Sequence, residues 1–142
     1  MLEALSISLN KAAVLGSVSY ILGAALIFAL FQFVYTRLTP HKEFELIRAG
    51  NVAAAIALGG AIIGFAIPAS NVIAYSISLL DFVVWAVIAA FVQLLAFFVT
   101  SLVLKGASQR IRDGEIAAGI YVAAVAISVG MLNAACMTPS QN

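Results

Sequence analysis

The chain has 142 residues, 64% of them hydrophobic and only 9% charged, with a net charge of +1. A soluble domain is usually about 45–50% apolar and about 25% charged, and a chain this short has too little interior to hide the excess from water. The composition excludes a water-soluble globular protein, and a single cysteine excludes an internal disulfide.

No Asp, Glu, Lys or Arg occurs between Lys11 and Arg37, between Arg48 and Asp81, between Asp81 and Lys105, or after Glu115. Each gap exceeds the roughly 20 residues a helix needs to cross about 30 Å of hydrocarbon. Backbone amides in lipid must be satisfied within their own segment, so the gaps predict helices and not open strands. The expected fold is an all-α membrane protein with four transmembrane helices near 12–36, 51–74, 82–104 and 116–137, in a single membrane domain spanning 1–142. The first is a retained span and not a cleaved signal: it is too long, and no small-x-small site precedes the charged segment after Arg37.

In the first loop, Thr39 suits a helix cap and Pro40 the first helical position, where no amide bond is lost. Phe44 and Ile47 then share one face, with His41, Lys42, Glu45 and Arg48 around the others. One reading is an interfacial helix that rests Phe44 among headgroups; the other is a docking surface for a cytoplasmic partner, or for anionic lipid. Arg48 and Arg112 each stand one turn before a span. They serve either as snorkelling anchors or as a paired anion site with Asn51 and Glu115 beside them.

The second span carries Gly60-Ala-Ile-Ile-Gly64, and the fourth has Gly119, Ala123, Ala126, Gly130 and Ala134 at helical spacing. Small residues let helix backbones approach closely in lipid, so these two spans are the expected packed centre or an oligomer seam. Polar side chains at depth are costly in hydrocarbon. Asn71 follows Pro68, where the second span is expected to kink or end; Gln93 lies mid-way along the third and Asn133 in the outer third of the fourth. They read as interhelical hydrogen bonds or as the lining of a wet path. Ser78-Leu-Leu-Asp81 reads as a capping box opening the third span, and Cys136 as an apolar filler.

Two larger patterns follow. Shifted by 64, Ile47-Arg48-Ala49-Gly50-Asn51-Val52-Ala53-Ala54-Ala55-Ile56 falls on Ile111-Arg112-Asp113-Gly114-Glu115-Ile116-Ala117-Ala118-Gly119-Ile120, with the same residue at six of ten positions. That predicts two parallel-repeat helical hairpins, about 12–74 and 82–137, related by a pseudo-two-fold axis along the membrane normal. Six of the seven basic residues fall in the loops near 37–50 and 105–115. The bias places those loops in the cytoplasm and both termini outside, in the periplasm of a bacterium.

The segment Leu38–Gly60, with Ser78-Leu-Leu-Asp81, Trp85, Gln-Leu-Leu-Ala-Phe at 93–97 and Leu-Asn-Ala-Ala-Cys-Met-Thr at 132–138, resembles the YjfL-like family of bacterial inner-membrane proteins, which holds the domain of unknown function 350. The resemblance covers nearly the whole chain. It implies a four-span inner-membrane protein and carries over no catalytic residue. Its association with envelope-stress proteins that coat membranes, and with amide-forming ligases, implies a membrane complex.

No enzyme is expected: His41 has no Cys or second His to complete a metal site, and no Ser–His–acid set can form. No cofactor and no nucleic-acid partner is expected either. The expected function is a non-enzymatic anchor or scaffold that docks a cytoplasmic protein through Arg48, Arg112, Lys42 and Phe44. The alternative is a small oligomeric channel or transporter, a homo-oligomer, lined by Gln93, Asn71 and Asn133.

Overall fold

The computed structural model describes residues 11–137. The two ends that the charge bias puts outside the cell, 1–10 and 138–142, lie beyond the described residues. The elements are α1 (Lys11–Leu38), α2 (Glu43–Arg48), α3 (Val52–Tyr75), α4 (Leu79–Val103), α5 (Ala107–Arg112) and α6 (Ile116–Cys136), with no strand among the described residues. Helices α1, α3, α4 and α6 are each long and apolar enough to cross a membrane, as the charge-free gaps require. The fold class is all-α with four membrane-spanning helices.

The distribution of side chains is inverted relative to a soluble protein. Leu15, Leu22, Leu26 and Leu30 on α1, and Phe91, Leu95 and Phe98 on α4, point outward, whereas Ala53, Ala54, Ala57, Gly60, Ala61 and Gly64 of α3 are buried. Bulk faces lipid, where a large apolar group is already solvated. Small residues face the neighbouring helix, where dispersion and close backbone approach replace the hydrophobic effect.

The tightest seam joins α3 to α6. A Cβ on Gly119 would press on the Ala53 backbone, one on Gly60 would overlap Ala123, and one on Gly130 would overlap the Gly64 carbonyl. Residue numbers on the two helices rise together along this contact, so α3 and α6 run parallel. Pro68 sits inside α3, which continues through it to Tyr75, so the span does not end there. The proline cannot donate to the carbonyl four residues back. That carbonyl belongs to Gly64, the one against which Gly130 packs.

Helix α1 is held by rings. Phe31 stacks on Phe65 at 4.2 Å, Phe28 lies 5.0 Å from the same ring, and Tyr35 meets Phe97 edge-on at 5.2 Å. Farther along, Tyr20 meets Phe82 at 5.8 Å. Helix α4 opens on Ser78, whose Oγ accepts from the Asp81 amide; the Asp81 carboxylate accepts from Ile77, one residue before the cap. The capping residues are as read from sequence, and the helix starts three residues earlier than the predicted span.

Substituting Gly130→Ala, in which the new methyl meets backbone and not a flexible side chain, should destabilise the bundle by about 1–3 kcal/mol. Gly59, on the same helix as Gly60 but with nothing within 4 Å of its Cβ position, should accept alanine without loss. Thermal unfolding of both variants in detergent checks the pair.

Candidate functional site at the basic end of the bundle

At one end of the bundle two short helices lead into the packed pair, α2 into α3 and α5 into α6. Both are six residues long and close in the same way. The amides of Ala49, Gly50 and Asn51 donate to the carbonyls of Glu45, Ile47 and Leu46, and those of Asp113, Gly114 and Glu115 donate to Gln109, Ile111 and Arg110. This closure needs a left-handed residue just past the helix, a conformation that suits glycine. Gly50 at φ +84° and Gly114 at φ +81° supply it. The Ile-Arg-x-Gly run therefore encodes a turn, used twice, 64 residues apart.

The residue after each glycine differs, and so does its work. Asn51 caps α3 by accepting from the Ala54 amide at 2.9 Å. Its Nδ2 also donates across to the Ile111 carbonyl at 2.8 Å and the Arg112 carbonyl at 3.1 Å. One side chain thus starts α3 and ties off the end of α5. Glu115 has no such donor and pairs instead with the Arg110 guanidinium. That pair is solvated, and its contribution to stability is correspondingly small.

Arg48 and Arg112 are both exposed and occupy equivalent places in the two turns; neither is held by a carboxylate of the described residues. Lys42 bridges Glu45 at 2.9 Å, fully in solvent, and Phe44 beside it is exposed. Arg37 covers the Phe33 ring at 4.7 Å. The four candidate docking residues therefore share one end of the molecule and are accessible.

Beneath them lies a buried polar group that the sequence did not reveal. Helix α2 starts at Glu43 with Lys42 as its cap residue and no side-chain cap bond, so Thr39 and Pro40 do not open it. The Thr39 amide instead bonds the Tyr35 carbonyl at 3.0 Å and finishes α1. From Thr39 to Phe44 the side chains alternate: Thr39, His41 and Glu43 are buried at 5%, 4% and 1% exposure, while Pro40, Lys42 and Phe44 face outward. His41 Nε2 stands 3.7 Å from Glu43 Oε1, too far for a hydrogen bond. Thr39 Oγ1, His41 Nδ1 and both Glu43 carboxyl oxygens have no hydrogen-bond partner at normal geometry. Burial pushes the Glu43 carboxyl above the ordinary carboxylate range, against the pull of the nearby Thr39 hydroxyl and its own amide. Burial, and then the Arg112 charge, hold His41 below the ordinary imidazole value. A loop of mixed polarity gave no sign of this alternation in burial.

The intramembrane amides form no cluster. Gln93 is 1% exposed and donates from Nε2 to the Ala126 carbonyl at 3.0 Å, against Gly64. Asn71 donates to the Ala134 carbonyl at 2.9 Å, nearer the other end. Asn133 is buried, with its Nδ2 unsatisfied. Asn51, Gln93 and Asn71 thus bond the second half of the chain at three depths, each through a backbone carbonyl. Cys136 is exposed. It lines a cleft of about 290 Å³ with Tyr75, Asp81 and Trp85, at the end of the bundle away from the basic turns.

The family model described as Domain of Unknown Function (DUF350) matches residues 8–137. The chain belongs to this family. It is 36% identical over 122 residues to the UPF0719 inner membrane protein YjfL of Escherichia coli K12, covering 86% of this chain and 92% of the relative. It is 36% identical over 76 residues to the UPF0719 transmembrane protein YshE of Bacillus subtilis 168, covering 54% and 57%. No solved structure matches it significantly. Four apolar helices and these relatives together make the chain a multi-pass protein of the inner membrane.

Asn51→Asp separates the two jobs of this side chain. Aspartate caps a helix as well as asparagine does, but it turns a lone pair toward two carbonyls that had a donor. The variant should lose about 1–3 kcal/mol of stability, while Asn51→Ser, which caps but does not cross, should lose less. Thermal unfolding with helix content as the signal distinguishes them.

Proposed function

We propose that the protein is a non-enzymatic membrane anchor whose twin turns, facing the cytoplasm with both termini outside, dock a soluble protein of acidic surface. The observation that carries this reading is the pair Arg48 and Arg112, exposed, without a carboxylate partner among the described residues, and set at equivalent points of two identical turns. The turns cap the α3–α6 seam, which fixes their spacing. The matching hydrogen bonds of the two turns support the same reading, because they set two like-charged corners on one face. The basic loops favour the cytoplasmic side.

An oligomeric channel has one observation in its favour, the Gln93 Oε1 atom, buried without a partner. Against it, the donor end of Gln93 is committed to Ala126 and its flank is closed by Gly64.

A photo-crosslinking residue in place of Phe44, in cells, should yield a discrete adduct with a cytoplasmic protein. The double substitution Arg48→Glu, Arg112→Glu should abolish the adduct and leave membrane insertion intact. Purified protein in sealed liposomes should pass no more ion current than empty liposomes. Flux that disappears with Gln93→Leu would replace the anchor by the channel.

A further inference from the structure

The cleft beside Asp81 lies at the opposite end of the bundle from the docking turns, and the docking reading makes no use of it. Three helix ends form its walls. Tyr75 and Ser76 come from the end of α3, Cys136 and Met137 from the end of α6, and Asp81 and Trp85 from the first turns of α4. A helix C-terminus carries partial negative charge, because its last carbonyls find no amide within the helix. Two such ends meet here. The one positive end, that of α4, already has the Asp81 carboxylate in its first turn.

Asp81 is the only charged residue between Arg48 and Lys105. One of its oxygens accepts from the Ile77 amide at 3.2 Å, and the other has no partner among the described residues. No lysine or arginine of the described residues pairs with it. Lys11 starts α1 nine residues ahead of Tyr20, the ring that meets Phe82 next to Asp81, which puts it about 13 Å farther along the helix at 1.5 Å per residue. The Ser76 hydroxyl donates to the Val72 carbonyl, so the lone pairs of its oxygen remain open to a donor. Tyr75 and Trp85 are exposed, and the face of each ring is its negative side.

We propose that this cleft holds a primary ammonium group, brought there by the headgroup of a zwitterionic lipid. The carboxylate with an oxygen to spare, the two helix C-termini, the hydroxyl acceptor and the two rings all agree in sign, and each favours a cation. A primary ammonium has three N–H donors. It can give one to Asp81 and one to Ser76 and still lie against a ring, whereas a quaternary ammonium can do only the last. A hard metal ion needs more oxygens than these, and no three acidic, histidine or cysteine side chains come together among the described residues. The cleft, at about 290 Å³, admits a group of several heavy atoms, since one water takes about 30 Å³ of the liquid.

Position argues for lipid as the carrier. Tyr and Trp at the end of a span mark the level where acyl chains give way to headgroups. Ile77, Leu79 and Leu80 beside the cleft are exposed and apolar, so the chains of a lipid whose headgroup enters the cleft have a surface to lie on. The group is only partly withdrawn from water, so the preference it confers is that of a solvated ion pair, roughly two- to fivefold.

Trp85 is the only tryptophan in the chain, so its fluorescence reports on this cleft alone. The full chain is placed in phosphatidylglycerol nanodiscs, and phosphatidylethanolamine or phosphatidylcholine, brominated on the acyl chains near the headgroup, is added at matched fractions. Bromine quenches on contact, so quenching measures the lipid beside Trp85. The ethanolamine lipid should be enriched roughly two- to fivefold over the choline lipid. Asp81→Asn, which keeps an oxygen for the Ile77 amide and so the start of α4, should bring the two lipids level. Ser76→Ala should lower the preference part-way, and Asp113→Asn, which removes a carboxylate at the basic end, should leave it intact. A preference that survives Asp81→Asn, or that Asp113→Asn also removes, would overturn the site. Free ethanolamine tests a soluble source: if the two lipids quench alike, yet ethanolamine shifts Trp85 emission where equal sodium does not, the ammonium site stands and the lipid carrier falls. Equal quenching with no response to ethanolamine overturns both. No partner protein enters the measurement, so the cleft and the docking surface can fail separately.

Discussion

Everything at the basic end depends on how closely α3 and α6 approach. The approach is possible only because Gly60, Gly64, Gly119 and Gly130 present no side chain where the backbones meet. In lipid there is no water to drive helices together, so contact must be made by packing, and packing improves steeply as backbones close. Parallel helices at this distance bring their starts side by side. The turn before each start then lies within reach of one asparagine, and Asn51 crosses from α3 to the end of α5. A wider seam would separate the turns and leave Arg48 and Arg112 without a fixed relation.

The same seam accounts for where Asn51, Gln93 and Asn71 donate. Gly64 offers room for the Gln93 side chain, and Pro68 leaves the Gly64 carbonyl without an amide four residues on, so α6 can pack its glycine there. Asn51, Gln93 and Asn71 each donate into the carbonyls at or near α6. A helix whose carbonyls already accept from its own amides has spare lone pairs, and these three side chains use them. Asn51 and Asn71 act near the two ends of the α3–α6 seam, and Gln93 ties α4 to α6 between them. Helix α1, attached through Phe28, Phe31 and Tyr35, is the element with most lipid contact and least shared surface.

The spans were legible in the sequence because charge exclusion from hydrocarbon is a one-dimensional rule: a gap long enough to cross is a helix, whatever surrounds it. The glycine seam was legible for a related reason, since small residues at helical spacing have one good use in lipid. The turns could be read as a repeated Ile-Arg-x-Gly, and the φ values at Gly50 and Gly114 give the motif its physical content. The Thr39–Glu43 cluster was not legible. Thr-Pro looked like a helix start, but Thr39 instead finishes α1 and alternate side chains of the segment turn inward, a burial that no local pattern in this loop encodes. Nor does the span of α3 end at Pro68, because a proline amide missing in mid-helix is tolerated where a neighbour packs on the freed carbonyl.

The comparison between the two turns carries the argument furthest. Where both turns share a residue, as at the glycines and arginines, the residue serves the turn itself or the surface the two turns make together. Where they differ, the two turns do different work. Glu115 against Asn51 is the mild case, a solvated ion pair in place of a cross-link. Glu43 against Ala107 is the sharp one, because a buried carboxyl is several kcal/mol harder to accommodate than a methyl group unless it is neutral or matched. Its neighbour across the same gap is the only histidine in the chain. The second turn holds Lys105 and Ala107 at the matching places, so the buried pair of titratable groups belongs to the first turn alone.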